Sequence, residues 1–437
     1  MNSRHGLNIF LNSNRSNMKI LWFTNTPCGA SFKLISNTPS CGWLYSLESI
    51  LKTIPEIDLH IAFYYKERLN DFYYNGVHYY PIYDDRNASR LKTLFYNYTE
   101  NFLGFKNHDI TKLKRITDKV KPDLIHFHGT EMDYGLLQKM TPNIPSVISI
   151  QGVLNSCYEK LFSGINKLEY IKHESLFSKI TLQTIRISEK RFAYNAKREI
   201  EILQLSKHVI GRTDFDRHTT LAIAPHAQYY IGNEILREEF YSATWHKAAF
   251  NKQFTIVTTI SSGSYKGLEV IIRTAINLKR IHFPFRWIVI GLTEHSRDAL
   301  VIRKWLKQSF SENNIEMKGK KDAKEIVNIL QESDVYCQTG HIENSPNSLC
   351  EAMLMGMPII ASYAGGTSSM LDHDKEGYLL QDGDSFSLAG TIIEVSQNFQ
   401  KAQSWGKSAR IRALNRHDPQ KVAKEYINIY HQIISNK

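Results

Sequence analysis

Glu343-Asn-Ser-Pro-Asn-Ser-Leu-Cys-Glu351 lies between two stretches that read as strands. Before it, Asp334-Val-Tyr-Cys-Gln-Thr339 reads as a short strand ending in a polar loop. Its second half opens Ser348-Leu-Cys-Glu-Ala-Met-Leu-Met355, a helix start, and Met357-Pro-Ile-Ile-Ala-Ser362 reads as the next strand. This is a βαβ unit, and its loops emerge at the carboxyl ends of the strands, where open α/β sheets bind ligands. The second strand runs into Tyr363-Ala-Gly-Gly-Thr-Ser-Ser369. Paired glycines, Gly365 and Gly366, ahead of a Ser-rich helix start let a backbone approach closely and offer N–H groups to an anion. Two carboxylates, Glu343 and Glu351, thus flank a helix N-terminus.

Each carboxylate also has a plain structural reading. Ser348 and Glu351 spell an S-x-x-E capping box, which would tie Glu351 to its own helix. Glu343 in a loop would ordinarily be a solvated charge. The alternative is chemical: a carboxylate beside a phosphate-binding helix end can accept hydrogen bonds from sugar hydroxyls without holding the anion itself. The whole block, E-x7-E followed by Ala352-Met353, the strand with Pro358 and Gly365-Gly366, resembles the donor site of glycosyltransferase family 4, the group 1 glycosyl transferases.

That resemblance runs from Met18 to the C-terminus and is densest from Lys266 to Asp384. It implies the GT-B fold, an α/β architecture of two Rossmann-like doubly wound domains facing each other across a cleft. It implies a nucleoside-diphosphate sugar as donor substrate, with no separate cofactor, and a glycan or lipid-linked acceptor. Glu351 would hold the ribose and Glu343 the sugar. Lys266, the helix start at Asn347 and Ser348, and the Gly365-Gly366 turn would meet the phosphates. Transfer would retain anomeric configuration, and the leaving phosphate would take the acceptor proton. A protein of this fold that binds nucleotide or carbohydrate without turnover is the alternative.

The rest of the chain fits two domains. Its 437 residues exceed one ordinary core. A hydrophobic share of 42% with 11% aromatics suffices for packed domains. Residues 1–17, Asn- and Ser-rich without an apolar stretch, read as a disordered extension and not a secretory signal. Residues 18–236 would form the acceptor-side domain and 237–416 the nucleotide-sugar domain. Gly232 to Asn251, of mixed charge and poor periodicity, would join them. Residues 417–437 would be a helix that, by the resemblance, crosses back to the first domain. No run approaches the roughly 18 apolar residues of a membrane span. Five cysteines without ligand spacing point to reduced thiols in a cytoplasm.

In the first half, strands are expected at Lys19–Phe23, Leu59–Tyr64, Gly76–Ile82, Leu124–His128, Ser146–Ile150, Val209–Gly211 and Gln228–Ile231. The loop after the first of these ends in Cys41-Gly42-Trp43 at a helix start. It lacks G-x-G-x-x-G, which excludes an NAD or FAD site. Gly42 is a cap on one reading and, in so long a loop, a ligand contact on the other. In Lys121-Pro-Asp-Leu-Ile-His-Phe-His-Gly129, His126 and His128 share one face of a buried strand. One would be structural, while His128 at the carboxyl edge would contact substrate, as the resemblance favours. No further ligands are cued for a metal. Asp214-Phe-Asp216 spells D-x-D, but Thr213 to Arg217 reads as a capped helix start.

The net charge of +11 favours anionic partners. No RNP motif or helix-turn-helix cue supports nucleic acid. Arg186, Lys190, Arg191, Lys197 and Arg198 cluster on a helix whose apolar stripe would be Phe192, Ala196, Ile200 and Leu203. Its basic outer face is either solvated or a dock for anionic lipid at the inner face of the plasma membrane. In Ser261-Ser-Gly-Ser-Tyr-Lys-Gly267, Lys266 precedes a helix and opposes its dipole unless an anion is present. Related chains carry an arginine upstream of this Lys-Gly. Here Ser261, Ser262 and Ser264 could add only neutral donors.

Overall fold

A computed structural model describes residues 17–34 and 42–436. Residues 1–16, and Cys41 with the end of the loop before Gly42, lie outside the described residues. Among the described residues the chain forms two sheets flanked by helices. The first has eight strands in the order β3-β4-β2-β1-β5-β6-β7-β8. These are β1 Met18–Thr24, β2 Ile57–Tyr65, β3 Phe72–Tyr74, β4 Val77–Tyr83, β5 Leu124–His128, β6 Ser146–Ser149, β7 His208–Gly211 and β8 Gln228–Ile231. Every pairing is parallel except the β3–β4 hairpin at the edge.

The second sheet has six strands in the order β11-β10-β9-β12-β13-β14, all parallel. They are β9 Phe254–Thr259, β10 Phe285–Ile290, β11 Ile315–Gly319, β12 Val335–Gln338, β13 Ile359–Ser362 and β14 Tyr378–Leu380. This α/β architecture is the doubly wound pair expected from the sequence. Parallel strands covered on both faces need near-continuous apolar runs, and β1 (MKILWFT) and β10 (FRWIVI) have them. One core cluster packs each face of each sheet.

Local chemistry sets the helix boundaries. Asp322 and Glu325 cap Ala323–Glu332 reciprocally, as do Thr213 and Asp216 for Asp214–Ile223. The last helix, Pro419–Ser435, starts with Asp418 as cap and proline in its first turn. It packs Val422, Tyr426 and Tyr430 onto Trp22 and Ile20 of the first sheet. The Tyr430 hydroxyl accepts from Trp22 Nε1 at 3.1 Å and meets His126 Nδ1 at 2.8 Å. Breaking that junction would leave buried polar groups unpaired, at about 1–3 kcal/mol each.

Gly232 to Asn251, expected to join the two domains, is well packed. Glu234 and Phe240 are fully buried, and Trp245 donates from its backbone N–H to Met355 O at 2.7 Å. Its few large apolar residues, irregularly spaced, suffice because they fill separate gaps. No helix among the described residues is long and apolar enough to cross a membrane.

Candidate active site

The carboxyl ends of both sheets meet around two cavities. The smaller, about 320 Å³, is walled by Glu131, Gln151 and Phe192 from the first domain and by Lys266, Glu343 and Asn344 from the second. The larger, about 510 Å³, lies among residues 84–108, the helix Ile185–Leu205 and Arg297. Glu131 is in the wall of both.

Two of the residues singled out in the sequence meet in the smaller cavity. Lys266 Nζ donates to both oxygens of Glu343 at 3.0 and 2.9 Å, and Gln338 Nε2 donates to Oε1 at 3.1 Å. Glu343 is therefore not a solvated loop charge; it is 8% exposed. The anion that Lys266 needs before the helix Leu268–Arg280 is supplied here by Glu343. Gly267 makes the approach possible: its φ is 78°, and a Cβ there would collide with the Thr339 carbonyl. Ser262 and Ser264 are not open donors. Their hydroxyls donate to Asp298 within the same domain and, across the domain boundary, to the Leu161 carbonyl.

The capping box at Glu351 does not form. The helix Asn347–Met355 starts two residues earlier than the box requires, with Pro346 at its cap and no side-chain capping bond. Glu351 then sits two residues deeper than the third helical position that a box uses. Its carboxylate instead takes a bidentate pair from Arg237, with both contacts at 2.7 Å. Asn347 and Ser348 open the helix, and Asn347 Oδ1 is buried with no hydrogen-bond partner among the described residues. The Gly365-Gly366 turn presses on the 343–344 backbone. A Cβ on either glycine would strike Glu343 O or Asn344 O, and the Gly366 N–H donates to Glu343 O at 2.8 Å. That N–H is thus not open to an anion, contrary to the expectation for the turn.

His126 and His128 do share one face of β5, but that face is sealed. His126 bonds Tyr430 and, through Nε2, Ser149 at 2.7 Å. His128 is 0% exposed, stacked on His126 at 3.8 Å and edge-on to Trp22 at 4.5 Å. It lines neither cavity, against the expectation of a substrate contact. Burial, with His126 and Arg212 nearby, pushes its pKa well down and keeps it neutral. Gly42 is an exposed backbone cap of the helix Trp43–Leu51 and lines neither cavity.

Asp216 accepts from the backbone N–H of Arg212 and Thr213, so the D-x-D serves a helix start. The described residues hold no cluster of three His, Cys, Asp or Glu suited to a metal. The basic helix is also revised. Ile200 is 36% exposed, and the buried positions include Ala196, Glu199, Ile202 and Leu203. Arg198 turns inward, donating to the Glu131 carbonyl, and Arg191 pairs with Glu100 at 3.1 Å. The outer basic face is reduced by these two.

Three contributors had no clear local signal. Arg237 acts 114 residues from Glu351. Asn344 joins the domains, accepting from Thr213 Oγ1 at 2.8 Å and donating to Gln151 O at 3.3 Å. Glu131 follows β5 and accepts from Asn25 Nδ2 at 3.3 Å. Burial, helped by the charge of Glu199, holds its carboxyl up at about 7. Its place three residues past a strand end at the ligand-binding edge was the available cue. Asn344 and Glu131 line a crevice in which Lys266 and Glu343 neutralise each other.

Residues 244–412 match the family model of glycosyl transferases group 1. The chain is 30% identical over 138 residues to the putative colanic acid biosynthesis glycosyltransferase WcaL of Escherichia coli, covering 30% of this chain and 33% of that protein. It is 26% identical over 159 residues to the amylovoran biosynthesis glycosyltransferase AmsK of Erwinia amylovora, covering 34% of this chain and 37% of AmsK. The matches thus span about a third of these relatives. The whole fold is similar to sucrose-phosphate synthase from Thermosynechococcus elongatus, with TM-score 0.68 and 13% identity over 96% of this chain and 100% of that one. It is similar also to Anabaena Alr3699/HepE in complex with UDP and glucose, with TM-score 0.63 and 15% identity over 95% of this chain and 100% of that one. Residues 244–412 thus resemble the group 1 glycosyl transferases, and the chain that carries them has the GT-B fold.

Proposed function

We propose that the chain is a glycosyltransferase of family 4 that moves a sugar from a nucleoside-diphosphate sugar to a glycan or lipid-linked acceptor in surface-polysaccharide biosynthesis. The observation that carries this reading is the Lys266–Glu343 pair, held in the interdomain cavity beside the start of the helix Asn347–Met355. The names of WcaL and AmsK support the biosynthetic setting, and HepE with UDP and glucose supports the donor class.

On this reading the donor diphosphate takes Lys266 from Glu343. The freed carboxylate then accepts hydrogen bonds from sugar hydroxyls. Glu351, fixed by the Arg237 fork, is the carboxylate that this reading assigns to the ribose diol. With the Gly366 N–H engaged, Lys266 and the N-terminal N–H groups at Asn347 and Ser348 carry the phosphate charge. That charge grows as the glycosidic bond breaks, so its stabilisation is the main catalytic term. The leaving phosphate takes the acceptor proton on the same face, with retention and without a metal. The larger cavity, joined to the donor crevice through Glu131, receives the acceptor.

Thermal melting against nucleoside diphosphates and their sugars tests the donor, since a ligand of the native state raises apparent stability. The wild type should be stabilised. Lys266→Ala should lose that shift and lower turnover by about a hundredfold, the scale of one transition-state donor. Wild-type affinity and turnover in Lys266→Ala would refute the assignment, and EDTA-sensitive turnover would refute metal independence.

A further inference from the structure

The helix Arg90–Leu103 is mounted inside out. Leu91, Leu94, Phe95, Tyr98 and Phe102 recur at the spacing of one helix face, the stripe that normally faces a core. Here that face points to solvent: Leu91 is 80% exposed, Phe95 62% and Phe102 64%. The polar face meets the protein. Asn97 is buried and donates to Thr181 O at 3.4 Å, Thr93 donates to Arg86 O at 3.1 Å, and Tyr96 donates to Asp85 at 2.9 Å. Arg191 clamps Glu100 at 3.1 Å. The segment reached through Thr181 repeats the pattern: Leu176, Phe177 and Ile180 are 74%, 71% and 69% exposed. Single exposed apolar residues are ordinary, but a helix face and an adjoining turn of them form an interaction surface.

Charge decides what covers it. Arg90, Lys92, Lys179, Arg186 and Lys190 are exposed on these elements and on the next helix. The acids among them are engaged: Glu100 by Arg191, Glu189 by Lys167, and Glu174 by the Ile185 N–H. Apolar side chains with a basic rim match the acyl and headgroup layers of an anionic leaflet. A second copy docked on the same face would bring two basic rims together. We infer that the apolar face of Arg90–Leu103, with the Leu176–Ile180 turn, seats the protein on an anionic bilayer. The helix and the residues just after that turn also wall the larger cavity, through Thr93, Asn97, Leu182 and Gln183. A docked molecule therefore holds that cavity close to the leaflet.

Flotation of the full chain with phosphatidylcholine vesicles, with and without phosphatidylglycerol, tests this without donor or turnover. Its outcome is therefore independent of the catalytic reading. The wild type should float with the anionic vesicles, less so at high salt, and weakly with neutral ones. Leu94→Glu/Phe95→Glu/Phe102→Glu replaces exposed side chains that line neither cavity, so melting should be unchanged while vesicle affinity falls by at least about tenfold. Lys92→Glu/Lys179→Glu should remove the preference for anionic lipid. No flotation of the wild type, or undiminished flotation of the triple variant, overturns the inference. A concentration-dependent dimer abolished by the triple variant, without flotation, assigns the face to a second copy and also overturns it.

Discussion

Glu131 is the residue whose behaviour most departs from its type. In the wall shared by the two cavities, its carboxyl is held up at about 7, above the ordinary 4.5. A raised carboxyl pKa means that the fold favours the neutral form. Its contribution to stability is complete below the unfolded pKa and is lost as pH rises through about 7. Glu131→Gln, permanently neutral, should therefore gain stability over the wild type as pH climbs from 4.5 towards 7, and melting across that range measures it. A constant difference would place the carboxyl in water. At this scale the sequence showed Glu343 and Lys266, because each sits in a recognisable loop. It did not show Arg237 as the partner of Glu351, or Glu131 as a shared wall. Those depend on contacts that only the tertiary fold makes. His128 fails for the converse reason. Alternation gave the correct face of β5, but Trp22 and the C-terminal helix cover that face.

The loop–helix element Ser261–Arg280 shows how one backbone position can govern the site. Gly267 turns left-handed and lies against the Thr339 carbonyl, bringing Lys266 to Glu343. Gly267→Ala adds a left-handed cost of ~1–2 kcal/mol before the collision is counted. For a domain of this size each kcal/mol is about 2–4 °C of melting temperature. The expected outcome is a drop of at least that size together with weakened nucleoside-diphosphate binding. An unshifted melt would mean that the loop holds its position without the glycine. Strands and capped helices were legible because β-branched runs and caps are local. The helix Arg90–Leu103 shows the limit: periodicity tells which residues share a face, not whether that face meets the core or something outside the chain.

At the scale of the molecule, two sheets of similar parallel order are locked by contacts that cross between domains. Asn344 bridges to Thr213 and Gln151, Ser345 donates to Glu234, and the last helix returns to Trp22. The doubly wound pair was legible in the alternation of strands and helices. The packed segment after β8 was not, because irregularly spaced apolar residues carry no period. The central claim is that the Lys266–Glu343 pair marks the donor-phosphate subsite and opens when a donor binds. A crystal structure of the chain with a nucleoside diphosphate tests it most directly. The account predicts diphosphate oxygens within hydrogen-bond distance of Lys266 Nζ, beside the start of the helix Asn347–Met355, with the Lys266–Glu343 contact broken. A diphosphate bound elsewhere, with that contact intact, would contradict it.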